Sequence, residues 1–311
     1  MRILVTGSQG TLGIPLVHEL RERGHTVFGM DLAHHDHEYE LRGDVREARQ
    51  VDACFEASTP ELVYHLAAEF GRRNGQQYGE QLWTTNSLGT HNVIHTCVKH
   101  NAHLVFASSS EAYGDGADVP GLIHEDRMTT HVPKFHNEYA LTKWTGEKQI
   151  EIARQHHGLH ATVLRFFNVY GPGEHYSPYR SVVCLFVYRM LHRLPIIIYR
   201  GGWRDFLYVG DWTRTVANAA DRTNMLDGAF INIGGDDFLS VEELAELVML
   251  KTGYDLTPNY REAERANVQI KRPALERAYA LLGHECRIGL NDGLDHTIEW
   301  MKEVYGHSIP K

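Results

Sequence analysis

The sequence predicts an α/β fold: a doubly wound parallel sheet with a smaller, partly interleaved C-terminal region. Three observations carry that expectation. Short apolar runs alternate with amphipathic helical stretches through the first half, and a glycine-rich turn joins the first strand to the first helix. Beyond about residue 170 the regularity gives way to loops rich in Gly, Pro and Tyr mixed with shorter helices.

The elements follow in order. "RILVT" reads as the opening strand, residues 12–23 as a helix and "HTVFGM" as the second strand, which makes a βαβ unit. "ELVYHLAA" (residues 61–68) and "AHLVFASSS" (102–110) are nearly continuous apolar runs, as expected of strands buried on both faces of a parallel sheet. A helical run over 76–100 supplies the crossover between them. A further helix over 137–156 leads to "HATVLRF", which completes a sheet of six or seven strands. Residues 1–170 then form one unit, to which later segments return, and 171–311 form mainly a second region. There are no repeats, low-complexity tracts or linkers.

Composition narrows the function. The chain has 311 residues, of which 42% are hydrophobic, enough for a proper core. With 40 acidic against 31 basic residues, the formal charge of -9 offers no basic face to a nucleic acid. The four cysteines, Cys54, Cys97, Cys184 and Cys286, lie far apart without CxxC spacing, which fits neither a zinc site nor a disulfide scaffold. The first strand starts almost at Met1 and no apolar run approaches a membrane span, so a cytoplasmic protein without membrane partners is expected. His34, His35 and His37 in "DLAHHDHEY" match no closed coordination pattern, and no metal is expected there.

"VTGSQGTLG" places Gly7, Gly10 and Gly13 in GxxGxxG spacing between strand and helix. Glycines there permit a tight turn and close approach of a pyrophosphate, and the helix start supplies free N–H donors. Close strand–helix packing alone could also select such a turn. Asp31 follows the second strand, where a carboxylate accepts hydrogen bonds from a ribose; no arginine follows it to neutralise a 2′-phosphate, which favours NAD over NADP. Asp44 is expected at the end of the third strand, within reach of an adenine. In "NEYALTKWTGE", Tyr139 and Lys143 stand four apart on one helix face, and a nearby ammonium favours a phenolate. By itself that spacing is common.

The ordered set "TGSQGTLG", Asp31, "HLAA", "SSSEAYG", "YALTK" and "RFFNVYGPG" resembles the extended short-chain dehydrogenase/reductase family, and within it the NAD-dependent nucleotide-sugar epimerases and dehydratases. The match spans nearly the whole chain. The resemblance implies a Rossmann-like domain holding NAD and a C-terminal region gripping a nucleoside diphosphate sugar, in a homodimer built through the helices before Ser109 and carrying Tyr139. It implies cofactor contacts from Gln9, Thr11 and Leu12 in the turn, from Val45 beside Asp44, and from Leu66, Ala67 and Ala68, besides Tyr139 and Lys143. Ser109 would bond the sugar C4 hydroxyl, Tyr139 would remove its proton, and Lys143 would bind the nicotinamide ribose. Asn86 matches a supporting position. Asn168, Arg204 and Arg272 match diphosphate contacts, and arginine suits them because its planar fork meets phosphate oxygens in pairs. Glu69 and Phe70 are expected at the nicotinamide end of the pocket.

Ser109, Ser110 and Glu111 resemble the Ser/Thr-Ser-Glu of some sugar 4,6-dehydratases and uronic-acid decarboxylases. A C4 ketone makes the C5 hydrogen acidic or a C5 carboxylate easy to lose, so Glu111 is expected to act at C5. Ser110 stands where another dehydratase pattern has an aspartate acid. The favoured outcome is 4,6-dehydration; 4-epimerisation, decarboxylation and net 4-dehydrogenation stay open, and decarboxylation lacks an assignable cation for the sugar carboxylate. The non-enzyme alternative is a dinucleotide-binding sensor or scaffold, against which the intact Ser109, Tyr139 and Lys143 speak.

Overall fold

Strand alternation builds the core. In the computed structural model, which describes residues 1–33, 37–118, 121–262 and 270–308, the first strand sends Ile3 and Val5 into one apolar cluster, with Leu16, Leu20 and Trp212. Leu4 between them enters another, with Phe28, Phe55 and Phe106. A period of two on a strand covered on both sides produces such a division.

The strands in chain order are β1 (Arg2–Thr6), β2 (Thr26–Asp31), β3 (Glu40–Arg42), β4 (Leu62–His65), β5 (His103–Ser109), β6 (Ala161–Phe166), β7 (Val169–Tyr170), β8 (Ile197–Arg200), β9 (Trp203–Tyr208), β10 (Phe230–Ile233), β11 (Asp237–Ser240), β12 (Asn259–Glu262) and β13 (Ile270–Lys271). Seven form one sheet in the order β10-β6-β5-β4-β1-β2-β3. Every pairing in it is parallel. β11, β9 and β13 form a second sheet with β7 beside β9, and β12 pairs with β8. β10 lies far along the chain, yet it extends the first sheet next to β6.

The first helix spans Gly13–Glu22, and the long helix expected over 137–156 spans Glu138–His157. Asn137 caps the latter by accepting from the Ala140 N–H at 2.8 Å, and Gly158 ends it at φ +69°. The crossover expected as one run over 76–100 is instead segmented. Helices Arg72–Gln77 and Gly79–Trp83 precede a π-helical turn, Thr84–Gly89, and the helix Thr90–His100. Tyr78 leaves helical geometry at the first break, and Gly89 packs where a Cβ would lie 2.7 Å from Val45, so tertiary contact sets this path. Among the described residues no helix is long and apolar enough to cross a membrane.

Candidate active site

The carboxyl ends of β1, β4 and β5 open onto a cavity of about 1020 Å³ between the first sheet and the later elements. The glycine turn forms one wall. Gly7 has φ +73°, and a Cβ there would lie 2.7 Å from the Ala67 nitrogen. A Cβ on Gly13 would lie 2.1 Å from the Gly7 carbonyl oxygen. No side chain caps the helix that follows, which leaves the turn and helix start as a backbone cradle for an anion.

Gly7, Gly10, Thr11, Leu12, Gly13, Leu66 and Ala68 line the cavity. Asp31 stands at the end of β2, as expected, and accepts from the Gln9 N–H at 3.0 Å and the Ala33 N–H at 3.2 Å. Gln9 also donates to Glu40 at 3.0 Å, a carboxylate on β3 that also receives Ser8 and Arg21. Asp44, just past β3, is engaged by Arg46 at 2.6 Å, whose hydrogen bonds hold its carboxyl below the usual range. Val45 packs against Gly89, and Ala67 against Gly7. Of the expected cofactor contacts, Gln9, Asp31, Asp44, Val45 and Ala67 are not part of the lining.

Ser109, Glu111, Tyr139 and Lys143 meet on the opposite wall. Ser109 ends β5, and Glu111 sits on the 3-10 turn Ser110–Asp118 that leaves it. Lys143 is buried, donating to the Ala107 carbonyl at 2.8 Å with its ammonium 5.4 Å from the Phe106 ring centre. Burial pulls Lys143 down to about 8, against the charge of Glu147. Burial pushes Tyr139 up to about 12; Ser109 favours its phenolate and Glu111 opposes it. The lowering expected from Lys143 is therefore not the dominant influence in this conformation. Desolvation of the phenol dominates, and the ammonium is spent on Ala107.

The third wall holds an ion pair that sequence reasoning missed. β13 runs beside β9 with Lys271 opposite Arg204, and both side chains line the cavity. Lys271 reaches across to Glu111, which also receives Asn137 at 3.4 Å. Burial would raise the Glu111 carboxyl, but Lys271, Asn137 and Arg204 together hold it below its ordinary value. Asn168, in the left-handed region at φ +24°, also lines the cavity and donates to Asp205 at 3.2 Å. Burial pushes Asp205 up to about 7.

Three expected positions point elsewhere. Arg272 is exposed, its guanidinium 4.9 Å from the Phe238 ring, because strand alternation turns it away when Lys271 faces inward. Glu69 accepts from Asn74 at 2.8 Å outside the lining; Phe70 lines the cavity instead, under the Arg180 guanidinium at 4.5 Å. Ser110 is buried outside the lining. Asn86 clamps Glu69 through its N–H and carbonyl, each at 2.8 Å, and Thr142 at 3.1 Å. His34 and His35 lie outside the described residues, and His37 accepts from the Tyr39 N–H at 3.2 Å. Among the described residues no cluster of His, Cys, Asp and Glu could hold a metal.

Residues 3–234 match the model of the NAD dependent epimerase/dehydratase family. The chain belongs to that family. NAD is accordingly its cofactor, and the side-chain-free cradle with Asp31 at the end of β2 fits it. This family member is 29% identical to a UDP-N-acetyl-alpha-D-glucosaminuronate decarboxylase from Bacillus cytotoxicus, over 97% of this chain and 98% of that protein. It shares 28% identity with the UDP-glucose 4-epimerase of Thermotoga maritima, solved with UDP-glucose, at a TM-score of 0.87 over 98% of this chain and 99% of that one. It is 30% identical to MoeE5, solved with UDP-glucuronic acid and NAD, at a TM-score of 0.85 over 98% and 100% of the two chains. The chain is thus an NAD-dependent nucleotide-sugar enzyme.

Proposed function

We propose that this enzyme acts on a UDP-hexuronic acid and removes its C6 carboxylate as carbon dioxide, by way of a 4-keto sugar. The observation that carries this reading is the Lys271 ammonium, paired with Glu111 in the cavity that holds Ser109 and Tyr139. It supplies the cation for a sugar carboxylate that no arginine could be assigned to. The 4,6-dehydration expected from the Ser-Ser-Glu sequence becomes the weaker reading, because Ser110 lies outside the lining and Glu111 is engaged by Lys271.

The turn of Gly7, Gly10 and Gly13 would hold NAD, which would supply a reversible hydride acceptor for C4. Ser109 orients the C4 hydroxyl, and Tyr139 accepts its proton as the ketone forms. Loss of carbon dioxide leaves the bonding pair on C5 as an enolate conjugated with that ketone. Burial holds the Lys271 ammonium below the ordinary lysine range, which makes it the better acid to protonate C5, and Glu111 keeps it in position. Arg204 and Asn168 are suited to the diphosphate. We further place a homodimer contact on the helices Thr90–His100 and Glu138–His157, near the exposed Leu88 and Ile152; a monomer by light scattering removes that assignment.

Incubation with NAD and UDP-glucuronic acid in deuterated water, read by mass spectrometry and proton NMR, is the test. Carbon dioxide release with a UDP-pentose deuterated at C5 is expected. An unchanged mass with inverted C4 would make the chain a 4-epimerase, and loss of water from a UDP-hexose would restore dehydration.

A further inference from the structure

Glu147 stands one helical step beyond Lys143, as Lys143 stands one step beyond Tyr139, so the three share one face of the Glu138–His157 helix. Glu147 is almost wholly buried and does not line the cavity. Its carboxylate accepts from the Ser108 hydroxyl at 2.6 Å and from Arg165 at 2.9 Å (Nε) and 2.8 Å (Nη2). Ser108 and Arg165 are register partners on β5 and β6. Lys143 meanwhile donates to Ala107, the residue before Ser108. Adjacent residues of the strand that ends in Ser109 are thus held by the ammonium and the carboxylate of one helix face.

We propose that Glu147 is a positioning residue for this active site: its buried carboxylate sets a negative charge on the helix face of Lys143 and, through Ser108 and Arg165, fixes the helix carrying Tyr139 against the strand carrying Ser109. The surroundings support this assignment. Around Lys143 stand Tyr139 and Glu147, one turn away on either side along its own helix, the Phe106 ring and Ala107 carbonyl from β5, and His65 from β4. Burial holds His65 down to about 3, so it stays neutral and adds no competing cation. Toward Glu147 face Ser108 and Arg165. Arg165 spends another N–H on the Tyr113 hydroxyl at 2.9 Å and on the Glu125 carbonyl at 3.2 Å, which anchors it from two further elements. Among the described residues, Glu147 is the acidic group that raises Lys143 against burial.

Two readouts test this, and the first needs neither substrate nor turnover. The Lys143 ammonium is titrated by NMR in the wild-type protein, its signal assigned by its absence in Lys143→Met, and again in Glu147→Gln. The wild-type midpoint is expected at about 8, and the Glu147→Gln midpoint lower by about one pH unit or more. The alkaline limb of kcat/KM should move toward acid by the same amount, with KM nearly unchanged, whichever nucleotide-sugar product forms. Glu147→Asp, which keeps the charge, should restore the midpoint. If Glu147→Gln lowers only the melting temperature and leaves the midpoint in place, Glu147 is a packing residue and the proposal fails. If Glu147→Gln does not fold, the wild type still decides: Lys143 already neutral at pH 7 overturns the proposal, and a midpoint near 8 retained in Glu147→Asp upholds it.

Discussion

The two sides of the cavity recognise charge by different means. The cofactor side is built of backbone: Gly7 and Gly13 leave no room for a Cβ beside the uncapped start of the first helix, and its conspicuous carboxylates, Asp31, Glu40 and Asp44, already hold partners of their own. The sugar side is built of charged side chains, with Glu111, Lys271 and Arg204 gathered from separate elements. A backbone cradle tolerates no added atom but needs no counter-charge. An ionic wall tolerates changes of shape better than changes of charge, since a buried ion that loses its partner is costly.

The largest effect that follows is at the cradle. Gly13→Ala puts a Cβ into the Gly7 carbonyl, so we expect a loss of about 3 kcal/mol of stability and purification without bound NAD, measured by urea unfolding and by the absorbance of released cofactor. Full NAD content in that variant would show that the turn can relax, and the contrast with the ionic wall would weaken.

On the ionic wall, Lys271→Met strands Glu111, and kcat/KM for the nucleotide sugar, UDP-glucuronic acid on the function proposed above, should fall about 100-fold, while Lys271→Arg should recover much of it. Equal losses in both variants would mean that shape rather than charge matters there.

A smaller effect separates the halves by pH. His65 is buried between Thr6 at 2.7 Å and Thr90 at 3.1 Å, and burial lowers it to about 3. Its folded-state value lies below the unfolded one, so its contribution is present above about 6.5 and lost as the pH falls toward 3. Stability should drop by about 1.4 kcal/mol per pH unit in that window. Urea unfolding of wild type and His65→Gln at pH 7 and 5 checks this; an identical pH dependence would clear His65.

The smallest effect is at Arg272. Exposed over Phe238, it should change stability by less than about 0.5 kcal/mol on replacement by Ala and leave KM untouched. A raised KM would return it to the substrate.

Much of the cofactor side was legible because its signals are local. The glycines, Asp31 and "HLAA" each declare a backbone conformation or a strand end within a few residues of themselves, and the Tyr139–Lys143 spacing needs only one helix. Glu147 extends that spacing by one more step, a signal open to reading that becomes informative only when Ser108 and Arg165 are seen against it. Lys271 left no such trace. In "KRPA" either basic residue could face the substrate, and the choice depends on how β13 registers with β9.

By itself, then, the sequence determined a parallel α/β sheet, a glycine turn and the Ser109, Tyr139 and Lys143 that line one cavity, because period, glycine placement and helical spacing act over short stretches of chain. Only the tertiary structure decided the path through the Thr84–Gly89 turn, the return of β10 to the first sheet, and the meeting of Glu111 with Lys271. The physical reason is separation along the chain: those two residues are 160 apart, and strand pairing between distant segments, which one residue of slip would invert, brings their charges together.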